Sequence, residues 1–219
     1  MIIGIVSQKG GVGKSTLARL LAREYSVNKW IVKIADMDSK QGTATRWNMS
    51  RNHSEIEPTI KTEQYRSVTD AIVDYNKGEM HLMIFDGAPA SSKTTLQIAN
   101  NSQLILLPTG VSVDDLEPTV RLAHELINEG ITKQCIAIVF CRVGDSTSEL
   151  LDARKYIEQT GYNTIQSSLP DRVAYRRALD TGRSLTETNF KTLNERAVAI
   201  AQEIVDLAQQ ILRENNKDG

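Results

Sequence analysis

The stretch Lys9-Gly10-Gly11-Val12-Gly13-Lys14-Ser15-Thr16 constrains this chain more than any other. It is a glycine-rich phosphate loop, with a short apolar run before it, Ile2-Ile3-Gly4-Ile5-Val6, and a helical pattern after it, Leu17-Ala18-Arg19-Leu20-Leu21-Ala22. In a strand–loop–helix of this kind the glycines let backbone N–H groups turn inward as a nest for phosphate oxygens. The helix start adds its unpaired N–H groups and the positive end of its dipole. Lys14 is then placed to reach the β- and γ-phosphates, and the Ser15 hydroxyl to hold Mg²⁺. These residues imply a bound nucleoside triphosphate. One lysine is enough for such a loop, so Lys9 at its front needs a separate purpose.

The rest of the chain alternates in the same way. Strand patterns lie near Ile2–Ser7, Trp30–Asp36, Thr59–Thr62, Leu82–Asp86, Gln103–Pro108, Ala137–Cys141 and Asn163–Ser167. Helical patterns fall near Ser15–Ser26, Thr43–Arg51, Val68–Tyr75, Ser92–Asn100, Val113–Glu129, Ser148–Thr160, Val173–Thr181 and Phe190–Asn215. This order predicts an α/β fold of the P-loop NTPase type, a mostly parallel central sheet with helices on both faces. Runs such as Leu82-Met83-Ile84-Phe85 lack polar alternation, as suits strands covered on both sides. No repeat or linker interrupts the pattern, so a single domain over 1–219 is expected, with a frayed polar tail from Arg213. The phosphate loop begins so early that no N-terminal helix-turn-helix domain is expected.

Composition narrows the partners. With 26 Lys and Arg against 27 Asp and Glu, the net charge of −1 provides no global field toward nucleic acid, so any such contact needs a local patch. Cys135 and Cys141 sit six positions apart on one strand pattern, too far for a disulfide, and read as reduced thiols of a cytoplasmic protein. No signal peptide or bilayer-length apolar run is found, so no membrane partner is expected.

Two acidic segments fit the phosphate loop. Ala35-Asp36-Met37-Asp38 closes the second strand, and sites of open α/β sheets lie at the C-terminal ends of strands. The two carboxylates alternate, so both are expected to face the loop's mouth; the plainer reading is that they cap a turn. Leu82-Met83-Ile84-Phe85-Asp86 is an apolar strand ending in one acid, which places Asp86 as a Mg²⁺ holder of the Walker B kind.

Taken together, Lys-Gly-Gly-x-Gly-Lys-Ser-Thr at 9–16, Asp-x-Asp at 36–38, Asp86-Gly87-Ala88-Pro89-Ala90, Leu106-Leu107-Pro108-Thr109 with Val113-Asp114-Asp115-Leu116, and Leu169-Pro170-Asp171-Arg172-Val173-Ala174-Tyr175 resemble the ParA/MinD family of deviant Walker A ATPases. The likeness runs along nearly the whole chain and is nearest to short, single-domain plasmid-partition proteins. It implies ATP and Mg²⁺ as cofactors, with Ser15, Asp36 and Asp86 at the metal. It implies that Lys9 crosses a dimer interface to the partner's nucleotide, that Lys14 serves the same reaction in cis, and that Asp38 polarises the attacking water. It places Gly87-Ala88-Pro89-Ala90 in a second switch, and Leu106-Leu107-Pro108-Thr109 with Val113-Asp114-Asp115-Leu116 near the dimer face. The element at Pro170, Asp171 and Arg172 would close over adenine. Where the family often has Asn-Arg as a base contact, this chain has Cys141-Arg142, and its switch reads Asp38-Ser39-Lys40-Gln41-Gly42 instead of Asp-Pro-Gln. ATP is preferred to GTP because no Asn/Thr-Lys-x-Asp guanine reader is present.

The resemblance also implies an ATP-bound homodimer that binds DNA nonspecifically, is released by a ParB-like or centromere-binding adaptor, and is nucleoid-associated. Arg172, Arg176 and Arg183 recur at near-helical spacing, and with Arg177 and Lys191 they form the candidate DNA surface. The alternative is a solvated basic face paired with Asp180 and Glu187. Other cargoes, namely a carboxysome, a chemosensory cluster or a conjugation complex, would use the same mechanism. A MinD-like membrane positioner needs a basic, bulky-apolar C-terminal helix, and Gln202-Glu203-Ile204-Val205-Asp206-Leu207-Ala208 is acidic and lacks aromatics. An iron–sulfur carrier needs interface cysteines in a tight motif, which Cys135 and Cys141 do not supply.

Overall fold

The computed structural model describes residues 1–39, 41–89 and 92–215. Lys40, Ala90 and the end of the tail, all named above, lie outside them. The chain runs β1 (Ile2–Ile5), α1 (Lys14–Val27), β2 (Val32–Asp36), α2 (Thr43–His53), β3 (Lys61–Gln64), α3 (Val68–Tyr75), β4 (Leu82–Asp86) and α4 (Ser92–Asn100). It continues with β5 (Leu104–Thr109), α5 (Val113–Asn128), β6 (Ile136–Phe140), α6 (Thr147–Glu158), β7 (Asn163–Thr164), α7 (Val173–Asp180) and α8 (Lys191–Asn215). Short 3₁₀ turns precede β6 and α8, at Lys133–Cys135 and Leu185–Glu187.

All seven strands pair in parallel in the order β3-β2-β4-β1-β5-β6-β7. The chain winds outward from β1 in both directions, so the crevice beyond the C-terminal end of β1 is the natural ligand site. Alternate residues of each strand feed two apolar layers. Ile3, Ile5, Ile34 and Ile84 face one with Leu17, Leu20, Leu21, Trp47, Ile200 and Ile204. Ile2, Ala35, Met83 and Phe85 face the other with Val68, Ile98, Leu116, Ala123 and Ile157. Gly4 makes close packing possible here, since a Cβ there would stand 2.6 Å from Ile98 Cγ2.

Two strands depart from expectation. β3 starts two residues later than its apolar start suggests and lies at the sheet edge, where Lys61-Thr62-Glu63-Gln64 is largely exposed. β7 is cut short after Thr164 because Glu203 of α8 takes the next donors: its carboxylate accepts from Gln166 N at 2.6 Å and Ser167 N at 3.0 Å. Cys135 is half-buried and Cys141 buried, and both are free thiols. No helix among the described residues is long and apolar enough to cross a membrane.

Candidate nucleotide site

The loop from Ser7 to Gly13 leaves β1 and turns into α1 on two left-handed glycines, Gly11 (φ 75°) and Gly13 (φ 114°). Gly13 has a second reason to lack a side chain, because a Cβ there would lie 3.0 Å from Cys141 Cβ. Cys141 therefore closes the underside of the loop. Lys14 is nearly buried and its Nζ donates to Lys9 O at 2.9 Å, so its ammonium folds over the nest. Burial lowers its pKa, and Asp86 and Asp38 act in the opposite sense.

Beneath the loop, β2 and β4 bring Asp36 and Asp86 into register. Asp86 is only 2% exposed. Burial pushes its carboxyl up to about 6 and the neighbouring Asp36 adds to this, while a hydrogen bond from Ser15 and the charges of Arg19 and Lys14 oppose it. Ser15 and Asp86 present oxygen donors of the kind a hard divalent cation takes, and a cation there would offset the cost of burying the carboxylate, so the two fit Mg²⁺ by donor chemistry. Asp36 does not share their exposure to the pocket. It is fully buried, and its carboxylate accepts from Thr45 N (3.1 Å), Thr45 Oγ1 (3.0 Å) and Asp38 N (3.1 Å). Asp36 is not among the residues that line the cavity; these donors tie it to the start of α2 and to the segment after β2. Asp38 does line the pocket, its Oδ1 accepting from Gln41 N at 3.0 Å, and Gln41 lines it as well.

Lys9 turns away from this pocket. Its Nζ lies 2.6 Å from Asp115 Oδ1 and donates to Asp114 O at 2.8 Å. The second acceptor has a cause in the sequence. Pro118 stands four residues after Asp114 inside α5 and has no N–H, so the Asp114 carbonyl has no intrahelical donor. Lys9 fills that place.

One wall of the cavity is built by the loops after β6 and β7. Arg142 adopts a left-handed φ of 57°, and its Nη1 donates to Gly11 O at 2.7 Å, strapping the phosphate loop to β6. Pro170, Asp171 and Arg172 line the same cavity of about 300 Å³, together with Gly10, Gly11, Gly13, Ser15 and Thr16. Val12 is buried and, like Lys9, lies outside the lining. From the segment after β4, Gly87 and Pro89 reach the cavity.

The expected basic surface is divided. Arg172, just before α7, and Tyr175, Arg176 and Leu179 on it line the cavity, with Arg172 paired to Asp145 and Arg176 to Asp171. Arg177 and Arg183 are exposed elsewhere, Arg183 in the loop after α7, and Lys191 sits 3.8 Å from Glu195. Glu187, expected among the partners of that face, instead pairs with buried Arg51 at 2.8 Å and with Arg23 at 3.4 Å. One spacing argument cannot hold these arginines together, because the helix ends before Arg183. The cavity is also lined by Arg19, which the sequence does not mark as functional, because an arginine inside a helical pattern reads as a surface charge.

Residues 3–185 match the CobQ/CobB/MinD/ParA nucleotide binding domain. The chain belongs to that family. It is therefore a ParA/MinD-type member of a nucleotide-binding ATPase family. No curated protein matches the chain. Its fold is similar to an ATP complex of Cyanothece McdA, at 14% identity and a TM-score of 0.71 over 93% of this chain and 95% of that one. It is also similar to the septum site-determining protein MinD with Mg-ADP from Pyrococcus horikoshii, at 16% identity and a TM-score of 0.70 over 96% and 98%. A third likeness is to pNOB8 ParA bound to nonspecific DNA, at 14% identity and a TM-score of 0.62 over 94% and 98%.

Proposed function

We propose that this protein is a partition or positioning ATPase in which ATP closes a dimer, the dimer binds DNA nonspecifically, and an adaptor of the ParB kind stimulates hydrolysis to segregate a plasmid. The observation that carries this reading is the division of labour between two lysines. Lys14 lies in the pocket, where a triphosphate in cis needs it, whereas Lys9 is held at the rim on Asp115 and Asp114 by a half-exposed pair. Such a pair is weak, about 0.2–1 kcal/mol, so a partner's γ-phosphate can displace it. ATP would then favour the dimer by its differential affinity for that state.

Within the site, Lys14 and the N–H nest hold the triphosphate, Ser15 and Asp86 hold Mg²⁺, and Asp38 orients water toward the γ-phosphate. Mg²⁺, when bound, supplies neutralisation of charge on the phosphate oxygens. Arg177 and Arg183 are the exposed cations best suited to DNA phosphates, doubled by the dimer. The apolar side of α8 is spent on the core through Ile200, Ile204 and Ile211, which speaks against a membrane-seated helix and for a DNA substrate. The test is retention of mixed-sequence DNA with MgATP, MgADP or no nucleotide. Salt-sensitive retention with MgATP alone is expected, and equal retention in all three conditions would refute the reading.

A further inference from the structure

Arg19 is a cation built into the nucleotide cavity with too few partners. It is 6% exposed, and Asp86, Asp36 and Asp180 act on it through space without a direct ion pair among the described residues; its guanidinium makes one hydrogen bond, from Nη2 to Thr43 O at 2.7 Å. Its Nε is buried with no acceptor. The guanidinium carbon stands 5.7 Å from the Trp47 ring centroid, and Trp47 is fixed in turn by Nε1 donating to Arg183 O at 3.0 Å and by Arg51 at 5.6 Å from the ring centroid. The side chain is thus held in place while most of its donors are not used. Burial of this kind is expensive for a cation unless an anion completes the site.

Position says which anion. Arg19 lies on α1 one turn beyond Ser15 and Thr16, and i to i+3 or i+4 neighbours share a helix face. The β- and γ-phosphates belong to Lys14 at the loop, and the base belongs to the wall at Pro170 and Asp171. What remains between them, beside Thr16 and Thr43, is the α-phosphate end of the nucleotide. A ribose hydroxyl could accept a hydrogen bond there, but it would offer the unused donors a neutral acceptor and not the charged oxygens a guanidinium binds best. We infer that Arg19 is a binding residue for the nucleotide α-phosphate, held ready by Trp47 and the Thr43 carbonyl. This rests on the reading of the cavity as a nucleotide site. Its consequence is specific: the contact is common to ATP and ADP, so Arg19 strengthens both and does not distinguish the states. Sensing of the γ-phosphate is left to Lys14, Lys9 and the switches.

The experiment is calorimetric titration of MgATP, MgADP and Mg-2′-deoxy-ATP into the wild type, Arg19→Lys and Arg19→Gln. A charge-assisted bond from a buried donor predicts a loss of about 10- to 100-fold for Arg19→Gln, equal for the three ligands, with Arg19→Lys between the two. Loss with ATP alone would move the contact to the γ-phosphate, and loss that vanishes with 2′-deoxy-ATP would move it to the ribose; either result overturns the inference. Unchanged affinities also overturn it while leaving the nucleotide site intact, whereas a wild type that binds none of the ligands fails the site itself. If Arg19→Gln does not fold, a Trp30→Phe protein with native Arg19 makes Trp47 the single tryptophan. Its emission should then shift equally with MgATP and MgADP, and silence at saturation would count against Arg19.

Discussion

Asp86 gives the sharpest energetic expectation. Its carboxyl is raised from an ordinary 3.8 to about 6 in the folded protein, chiefly by burial. The native state therefore binds this proton more tightly than the unfolded chain, and folding stability from this group falls as pH rises from about 3.8 through about 6. The shift corresponds to about 3 kcal/mol of native-state destabilisation at pH 7.5, already net of attraction to Arg19 and Lys14. Asp86→Asn keeps the shape and an acceptor for Ser15 but removes the charge. At pH 7.5, without nucleotide or Mg²⁺, the variant should melt higher by roughly 6–12 °C, at about 2–4 °C per kcal/mol for a chain of this size. The advantage should shrink to about 1 kcal/mol at pH 4.5, where native Asp86 is itself protonated. The same variant should lose Mg²⁺-dependent ATP binding, so that greater stability accompanies lost function. Calorimetric melts of both proteins at the two pH values decide the matter. A variant less stable at pH 7.5, or a gain independent of pH, would show that burial of this charge is not what the site bears.

Three further outcomes are expected. Asp38→Ala should retain ATP but lose about 10²-fold or more in phosphate release, the usual contribution of a group that positions or accepts a proton; unimpaired turnover would move the role elsewhere. Arg177→Glu with Arg183→Glu should weaken DNA retention without altering ATP affinity, lowering the salt slope by about 0.9 for each phosphate contact removed; an unaltered slope would place the DNA surface elsewhere. Asp115→Ala should leave Lys9 held only by the Asp114 carbonyl and tighten the ATP-dependent dimer by about 2- to 30-fold, from one half-exposed pair of about 0.2–1 kcal/mol lost in each of two protomers, and sedimentation equilibrium showing a weaker dimer would contradict this.

Much of this architecture is legible in the residues themselves. The glycine spacing of 10–13 and the apolar run before Asp86 locate the phosphate loop and the fourth strand, because backbone chirality and burial act locally on those residues. Long-range competition hides the rest. Nothing near Gln166 announces that Glu203, far along the chain, will take its N–H and end β7. Asp36 and Asp38 look equivalent by alternation, and only the return of Thr45 onto Asp36 separates them. Pro118 reads as a mere helix irregularity until the fold brings Lys9 to the carbonyl that it leaves without a donor. Arg19 is the clearest case: its helical position is obvious, but its burial against Trp47 and Thr43 depends on α2 folding across α1.

The claim that Lys9 acts on a partner's nucleotide is tested most directly by light scattering of Lys9→Ala with MgATP, in an Asp38→Ala background that prevents turnover. Lys14, Ser15 and the N–H nest remain, so the variant should bind ATP as a monomer at concentrations where the Asp38→Ala parent is dimeric. An ATP-bound Lys9→Ala protein that dimerises as the parent does would contradict the claim and leave Lys9 as a rim residue paired with Asp115.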